Sequence, residues 1–173
     1  MRLFIAVELP AEARQKIAEL TAELKQAGAA VKWVAEENLH LTLKFIGEVA
    51  EGKVVELLAG VEAKVGGTGS FLIKLEGLGT FPEGKHPRVV WVGISRGSER
   101  LEELARALDE KEFVAHATIG RIKDNKGVDK LLERLGKIKG PQFGEAVIAS
   151  VMIMKSTLTP HGPIYEKIKE VKL

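Results

Sequence analysis

Residues 3–9 (Leu3-Phe4-Ile5-Ala6-Val7-Glu8-Leu9) are a short apolar run with strand-like alternation. From Pro10 the pattern changes period: Ile17, Leu20 and Leu24 recur at helical spacing in a segment rich in Ala, Glu, Lys and Leu, which Gly28 closes. Two strands are predicted next, at 31–34 and 39–47, with Glu36-Glu37-Asn38 as the turn between them. A second helix fits 52–65, ending at Gly66-Gly67, and strands follow at about 70–78 and 88–94. The segment 79–87, with four of its nine positions Gly or Pro, reads as a loop. A third helix covers 98–110, with Leu101, Leu104, Ala105 and Leu108 as its buried stripe. Residues 113–121 read as a strand, about 127–138 as a helix, and about 145–155 and 163–172 as the last two strands.

Strands here mostly follow one another directly instead of alternating strictly with helices. That order favours an α+β fold with antiparallel sheets over a doubly wound parallel sheet. At 173 residues the chain suffices for one substantial core, so a single unit over 1–173 is expected. Within it one pattern repeats: His40-Leu41-Thr42-Leu43 recurs as His116-Ala117-Thr118-Ile119, 76 positions later (116 − 40). Each copy falls on a predicted strand between helices. The repeat suggests two half-chains that each present one such strand to a groove between two lobes.

On a strand, His40 and Thr42 share one face while Leu41 and Leu43 take the other, and His116 and Thr118 are arranged alike. Two imidazoles and two hydroxyls facing one cleft suit phosphodiester cleavage without a metal. Displacement at phosphorus needs a base for the incoming oxygen and an acid for the leaving one, and histidine serves in either role near neutral pH. Threonine hydroxyls can hold the non-bridging phosphate oxygens. A strained 2′,3′-cyclic phosphate, whose leaving oxygen is already in the ring, is an apt substrate. A single His-x-Thr is equally at home as a half-buried structural pair; the weight lies in two copies among only 4 histidines.

The remaining candidates read both ways. Phe45 can stack on a nucleobase or pack in the core. Arg121 lies an odd number of positions from His116, so ideal alternation turns it away from the histidine face unless Gly120 allows a bulge. Lys44 falls on the nominal face of His40 and Thr42 and reads as a surface lysine. Trp33 and Trp91 sit in apolar strands where burial is expected. Ser156 and Tyr165 fit either the groove or ordinary turn and packing roles. His86 and His161 belong to Gly/Pro-rich turns, and no His-x-His or His-x₃-His spacing exists, so no metal or other cofactor is expected.

Charge narrows the partner. The 26 basic and 24 acidic side chains nearly cancel, so any RNA must be held by a local cleft instead of a polycationic surface. With 9 aromatic residues (6 Phe, 2 Trp, 1 Tyr), one or two terminal nucleotides are a more plausible ligand than a long strand. Absence of cysteine removes disulfides and thiol nucleophiles and fits a reducing, cytoplasmic setting. No glycine cluster forms a Walker-type loop. The first eight residues read as a strand, neither signal peptide nor membrane span.

These motifs together resemble the 2H phosphoesterases, and within them the RNA 2′,3′-cyclic phosphodiesterases also called 2′-5′ RNA ligases. The likeness runs from Met1-Arg2-Leu3-Phe4-Ile5-Ala6 through Glu37-Asn38-Leu39-His40-Leu41-Thr42-Leu43-Lys44-Phe45-Ile46-Gly47 and Phe113-Val114-Ala115-His116-Ala117-Thr118-Ile119-Gly120-Arg121 to Lys155-Ser156-Thr157-Leu158-Thr159-Pro160-His161-Gly162-Pro163-Ile164-Tyr165. It implies a bilobal α+β fold, a pseudo-two-fold pair of antiparallel sheets with flanking helices and a central groove. It also implies His40 as proton donor, His116 as proton acceptor, Thr42 and Thr118 on the phosphate, and Arg121 as a phosphate contact. RNA ends or cyclic nucleotides are the expected partners of a monomer, with a binding module that lacks turnover as the alternative. The passage from the third helix to Phe113 is shorter than the family pattern implies.

Overall fold

The computed structural model describes all 173 residues as nine strands and four α-helices in two antiparallel sheets. The first sheet has the order β3-β1-β8-β9, built from β1 (Arg2–Glu8), β3 (His40–Glu48), β8 (Ser150–Thr159) and β9 (Gly162–Lys172). The second has the order β2-β6-β5-β4-β7. Its strands are β2 (Val31–Trp33), β4 (Phe71–Phe81), β5 (Val89–Arg96), β6 (His116–Ile122) and β7 (Gln142–Ile148). The helices are α1 (Ala11–Lys25), α2 (Glu51–Val65), α3 (Ser98–Ala107) and α4 (Val128–Lys137). The expected α+β class with paired antiparallel sheets is therefore the observed one. No helix is long and apolar enough to cross a membrane.

Each helix forms where its apolar stripe can be buried. Along α1, Ala13, Ile17, Thr21 and Leu24 recur every three or four residues and are buried, and Gly28 at φ +71° turns the chain out. Thr21 tolerates burial because its hydroxyl donates to the Ile17 carbonyl at 2.9 Å. Two helices are exchanged between sheets: α1 follows β1 of the first sheet yet packs on β7 of the second, while α3 follows β5 of the second and packs on β3 of the first. A single cluster of 30 buried residues therefore draws on both sheets, so the lobes share one core.

Four boundaries differ from the sequence reading. The run at 145–155 is two strands, broken at Ala149 where the chain leaves the second sheet at Ile148 and enters the first at Ser150. Strand β4 continues through Gly79 and Thr80 to Phe81, into the expected loop. Helix α3 ends at Ala107, and Asp109 at φ 65° reverses the chain while Leu108 stays buried. Strand β6 begins at His116, with 113–115 irregular, so the histidine stands at a strand end.

Candidate active site

Strands β3 and β6 approach one another from the two sheets, and each carries one His-x-Thr at its first residues. Their apolar alternates fix the orientation. Leu41, Leu43, Ala117 and Ile119 are all at most 1% exposed, which leaves His40, Thr42, His116 and Thr118 on the opposite, half-exposed faces. Burying one such leucine or isoleucine side chain contributes about 1.5–3 kcal/mol, so the phase of each strand is firmly set.

The two imidazoles are oriented by the same device. His40 Nδ1 lies 2.6 Å from the Asn38 carbonyl and His116 Nδ1 lies 2.7 Å from the Val114 carbonyl, each two residues upstream. A carbonyl oxygen only accepts, so Nδ1 carries hydrogen in both rings and Nε2 is left to give or take a proton. Each ring also stands edge-on to an aromatic of its own sheet. Tyr165 of β9 meets His40 at 5.4 Å and 83°, and Phe81 of β4 meets His116 at 5.2 Å and 87°. Phe4 adds a third ring 5.1 Å from His40.

The half-sites are not identical. His40 Nε2 lies 2.9 Å from the Thr42 hydroxyl, and no corresponding His116–Thr118 bond forms. When neutral, His40 accepts from that hydroxyl; as imidazolium it donates, which frees the threonine hydrogen for a phosphate oxygen. Burial disfavours the imidazolium and pulls the His40 pKa below its ordinary value. The Asn38 carbonyl opposes that shift, and the Arg121 charge adds to it. Burial likewise pushes the Tyr165 phenol up, against the Arg121 and Arg2 charges.

Arg121 thus acts electrostatically on residues of the opposite sheet, although simple alternation points it away. The cause is a β-bulge. Across β5 and β6, Val90 pairs with Gly120 but Trp91 with Thr118, so Ile119 is the extra residue. Ile119 and Gly120 are both buried, the alternation inverts, and Arg121 emerges exposed. Gly120 is required there because a Cβ would lie 2.8 Å from Trp33 and Val31 of β2. Strand β3 carries the matching irregularity: Ile5 pairs with Lys44 but Ala6 with Thr42, leaving Leu43 extra. The position that corresponds to Arg121 in the repeat is Phe45, which is 66% exposed and therefore not a core residue.

The same bulge removes Lys44 from the histidine face, a correction to its sequence-based placement. Its ammonium donates to the Leu108 carbonyl just past α3, and so ties β3 to the segment that leads to His116. Hydrogen bonds to charged groups contribute roughly 1.5–3 kcal/mol, and about 1 kcal/mol moves Tm by roughly 2–4 °C at this chain length. Lys44→Met should therefore lower Tm by roughly 3–12 °C in a thermal melt; an unchanged Tm would show that the tie contributes nothing.

Trp33 and Trp91 are half-buried where burial was expected, although the Trp91 indole nitrogen is enclosed without a partner. Ser156 is half-buried on β8, paired with Tyr165 of β9. His86 and His161 are exposed. No grouping of three or more His, Asp or Glu side chains has metal-holding geometry. Sequence reasoning did not single out Phe4, Phe81 or the Asn38 and Val114 carbonyls. Only the carbonyls left a signal, their equal offset from the two histidines.

Beside His40, on the same face of the first sheet, lies a cavity of about 410 Å³ between β1, β8, β9 and α1. Tyr165, Met152 and Met154 form its apolar wall, and Glu8, Arg14 and Glu37 its polar rim.

Comparison with known proteins gives a consistent picture. The model of the LigT-like phosphoesterase family matches residues 7–91 and again 92–165, so each matched segment carries one His-x-Thr strand. A protein of Methanocaldococcus jannaschii named RNA 2′,3′-cyclic phosphodiesterase is 41% identical, the alignment covering 98% of this chain and 99% of that one. Its namesake from Methanothermobacter thermautotrophicus is 37% identical over 100% and 99%. Among solved structures, TT0787 of Thermus thermophilus superposes with a TM-score of 0.84 at 28% identity, covering 100% of this chain and 98% of that one. E. coli LigT complexed with 3′-AMP gives 0.77 at 28% identity, over 99% and 96%.

Proposed function

The chain belongs to the LigT-like phosphoesterase family, and on that premise we propose that it is an RNA 2′,3′-cyclic phosphodiesterase that yields a 2′-phosphate through its two histidines. The observation that carries the mechanism is the matched pair of imidazoles, each with Nδ1 committed to a carbonyl and Nε2 left for proton transfer.

In hydrolysis, His116 Nε2 takes a proton from water as its oxygen bonds to phosphorus. The bond from phosphorus to the 3′ oxygen breaks, and that oxygen receives the proton of His40 Nε2. The products are a 2′-phosphomonoester and a 3′-hydroxyl. Burial suits His40 to the acid role because it makes the imidazolium ready to give up its proton, while an incoming phosphate anion favours the charged form long enough for the step. Thr42 and Thr118 hold non-bridging oxygens, Arg121 balances their charge, and Phe45 offers an exposed ring for stacking. A 5′-hydroxyl in place of water would give a 2′-5′ phosphodiester through the same two proton transfers. None of these steps calls on a metal or cofactor. The protein would act as a monomer on RNA ends in the cytoplasm.

Incubation with 2′,3′-cyclic AMP in EDTA tests this directly, and 2′-AMP is the expected product. Failure to form it anywhere from about pH 4 to about pH 9, roughly the range over which a histidine changes charge, would leave a module that binds RNA ends without turnover.

A further inference from the structure

The cavity beside His40 has that histidine in its lining, and none of its other lining residues takes part in the proton transfers. Its volume of about 410 Å³ falls within the range of roughly 300–1,000 Å³ typical of ligand sites. Two features give it chemical character. Arg14 has its Nε enclosed without a hydrogen-bond partner, and its guanidinium makes no ion pair with either neighbouring carboxylate. Of those carboxylates, Glu8 is held by Lys167 at 3.2 Å, while Glu37 has no ion-pair partner. An unpaired guanidinium and an unpaired carboxylate thus rim one cavity whose wall is Tyr165, Met152 and Met154.

We infer that this cavity is a nucleobase subsite selective for guanine at the RNA end, and the inference rests on the phosphodiesterase reading of the adjoining site. A second phosphate is a poor occupant, because the unpaired carboxylate of Glu37 stands on the same rim as the single free guanidinium of Arg14 and cancels its charge. A neutral base is a better one. Its faces meet the Tyr165 ring and the two polarizable thioethers. Guanine alone among the four bases offers two adjacent acceptors, O6 and N7, to a guanidinium fork and two adjacent donors, N1–H and the 2-amino group, to a carboxylate. Uracil has no amino group to offer Glu37. Because Asn38, the neighbour of Glu37, presents the carbonyl that orients His40, a seated base is anchored one residue from the acid's own support.

The test compares the four nucleoside 2′,3′-cyclic phosphates and the binding of the 2′-GMP and 2′-UMP products by calorimetry. One good bidentate contact discriminates by about 1–3 kcal/mol, so kcat/KM for the guanosine substrate should exceed that for uridine at least about tenfold, mainly through KM. Glu37→Ala, a change at an exposed side chain, should bring the guanosine value down toward that of uridine, and Arg14→Met should do the same. Equal kcat/KM for all four substrates would overturn the base subsite and leave the hydrolase reading intact. No turnover of any substrate, with 2′-GMP still binding about tenfold tighter than 2′-UMP, would support the subsite and overturn the hydrolase reading. No turnover and equal product binding would remove both.

Discussion

Replacing His116 by alanine should lower the turnover of 2′,3′-cyclic AMP by about 10²–10⁴-fold, and His40→Ala should do the same, since each removes one of two proton transfers. The variants differ in what remains. In His116→Ala the residual rate depends on the protonated form of His40, so it falls as pH rises. Burial has lowered the His40 pKa, with Arg121 adding to the shift against the Asn38 carbonyl, so that fall comes at a lower pH than an ordinary imidazole would give. A residual rate that rises through the same region would assign His40 the base role and exchange the two histidines. Unchanged turnover in either variant would take that histidine out of the mechanism. Circular dichroism should show both variants folded, because each ring is half-exposed and its strand is fixed by the leucines, alanine and isoleucine behind it.

A single methyl group at Gly79 should have a large effect on stability. The Trp91 indole lies directly over this residue, and a Cβ there would sit 2.1, 2.4 and 2.6 Å from three of its ring atoms. Such contacts cannot persist, so Trp91 must move. It packs against Phe81 at 5.1 Å, and Phe81 in turn stands edge-on to His116. Overpacking typically costs about 1–3 kcal/mol, or roughly 2–12 °C of Tm for a chain of this length. Gly79→Ala should therefore melt several degrees lower and lose turnover as His116 is displaced. Trp91→Leu in the same background should recover part of the Tm, since it removes the atoms that the methyl meets. No recovery would locate the damage in the backbone instead of the indole.

The sequence made the chemistry legible before the geometry. Leu41, Leu43, Ala117 and Ile119 alternate with the His-x-Thr residues, and that alternation predicts which side chains reach the groove. The break at Ala149 left no such trace. Ala146 and Ile148 alternate with exposed neighbours while Val151, Met152 and Ile153 are buried in succession, but the apolar residues on the two sides of the crossing form one nearly unbroken run that reads as a single strand. Phe81 was concealed by Gly79, which resembles a loop residue but is small because a tryptophan lies on it. Arg121 and Lys44 exchange faces through bulges that depend on partner strands, and a sequence lists no partners. Residues 113–115 are apolar enough for a strand, yet the Val114 carbonyl accepts the His116 imidazole and its side chain is exposed.

The crossing of strands between the sheets also bears on motion. Strand β4 follows the first histidine strand in the chain but is built into the middle of the second sheet, while β8, far beyond the second histidine strand, lies inside the first. Each sheet is thus completed by chain from the other half, as in two hands with fingers interlocked. Lobes joined by a simple linker can swing apart as rigid bodies; these are joined by repeated crossings of the chain and by one shared core of 30 buried residues, and cannot separate without unpacking it. The spacing between His40 and His116 should then be set when the molecule folds and not when a ligand arrives. Two histidines held in such a frame should act without a closing step before them.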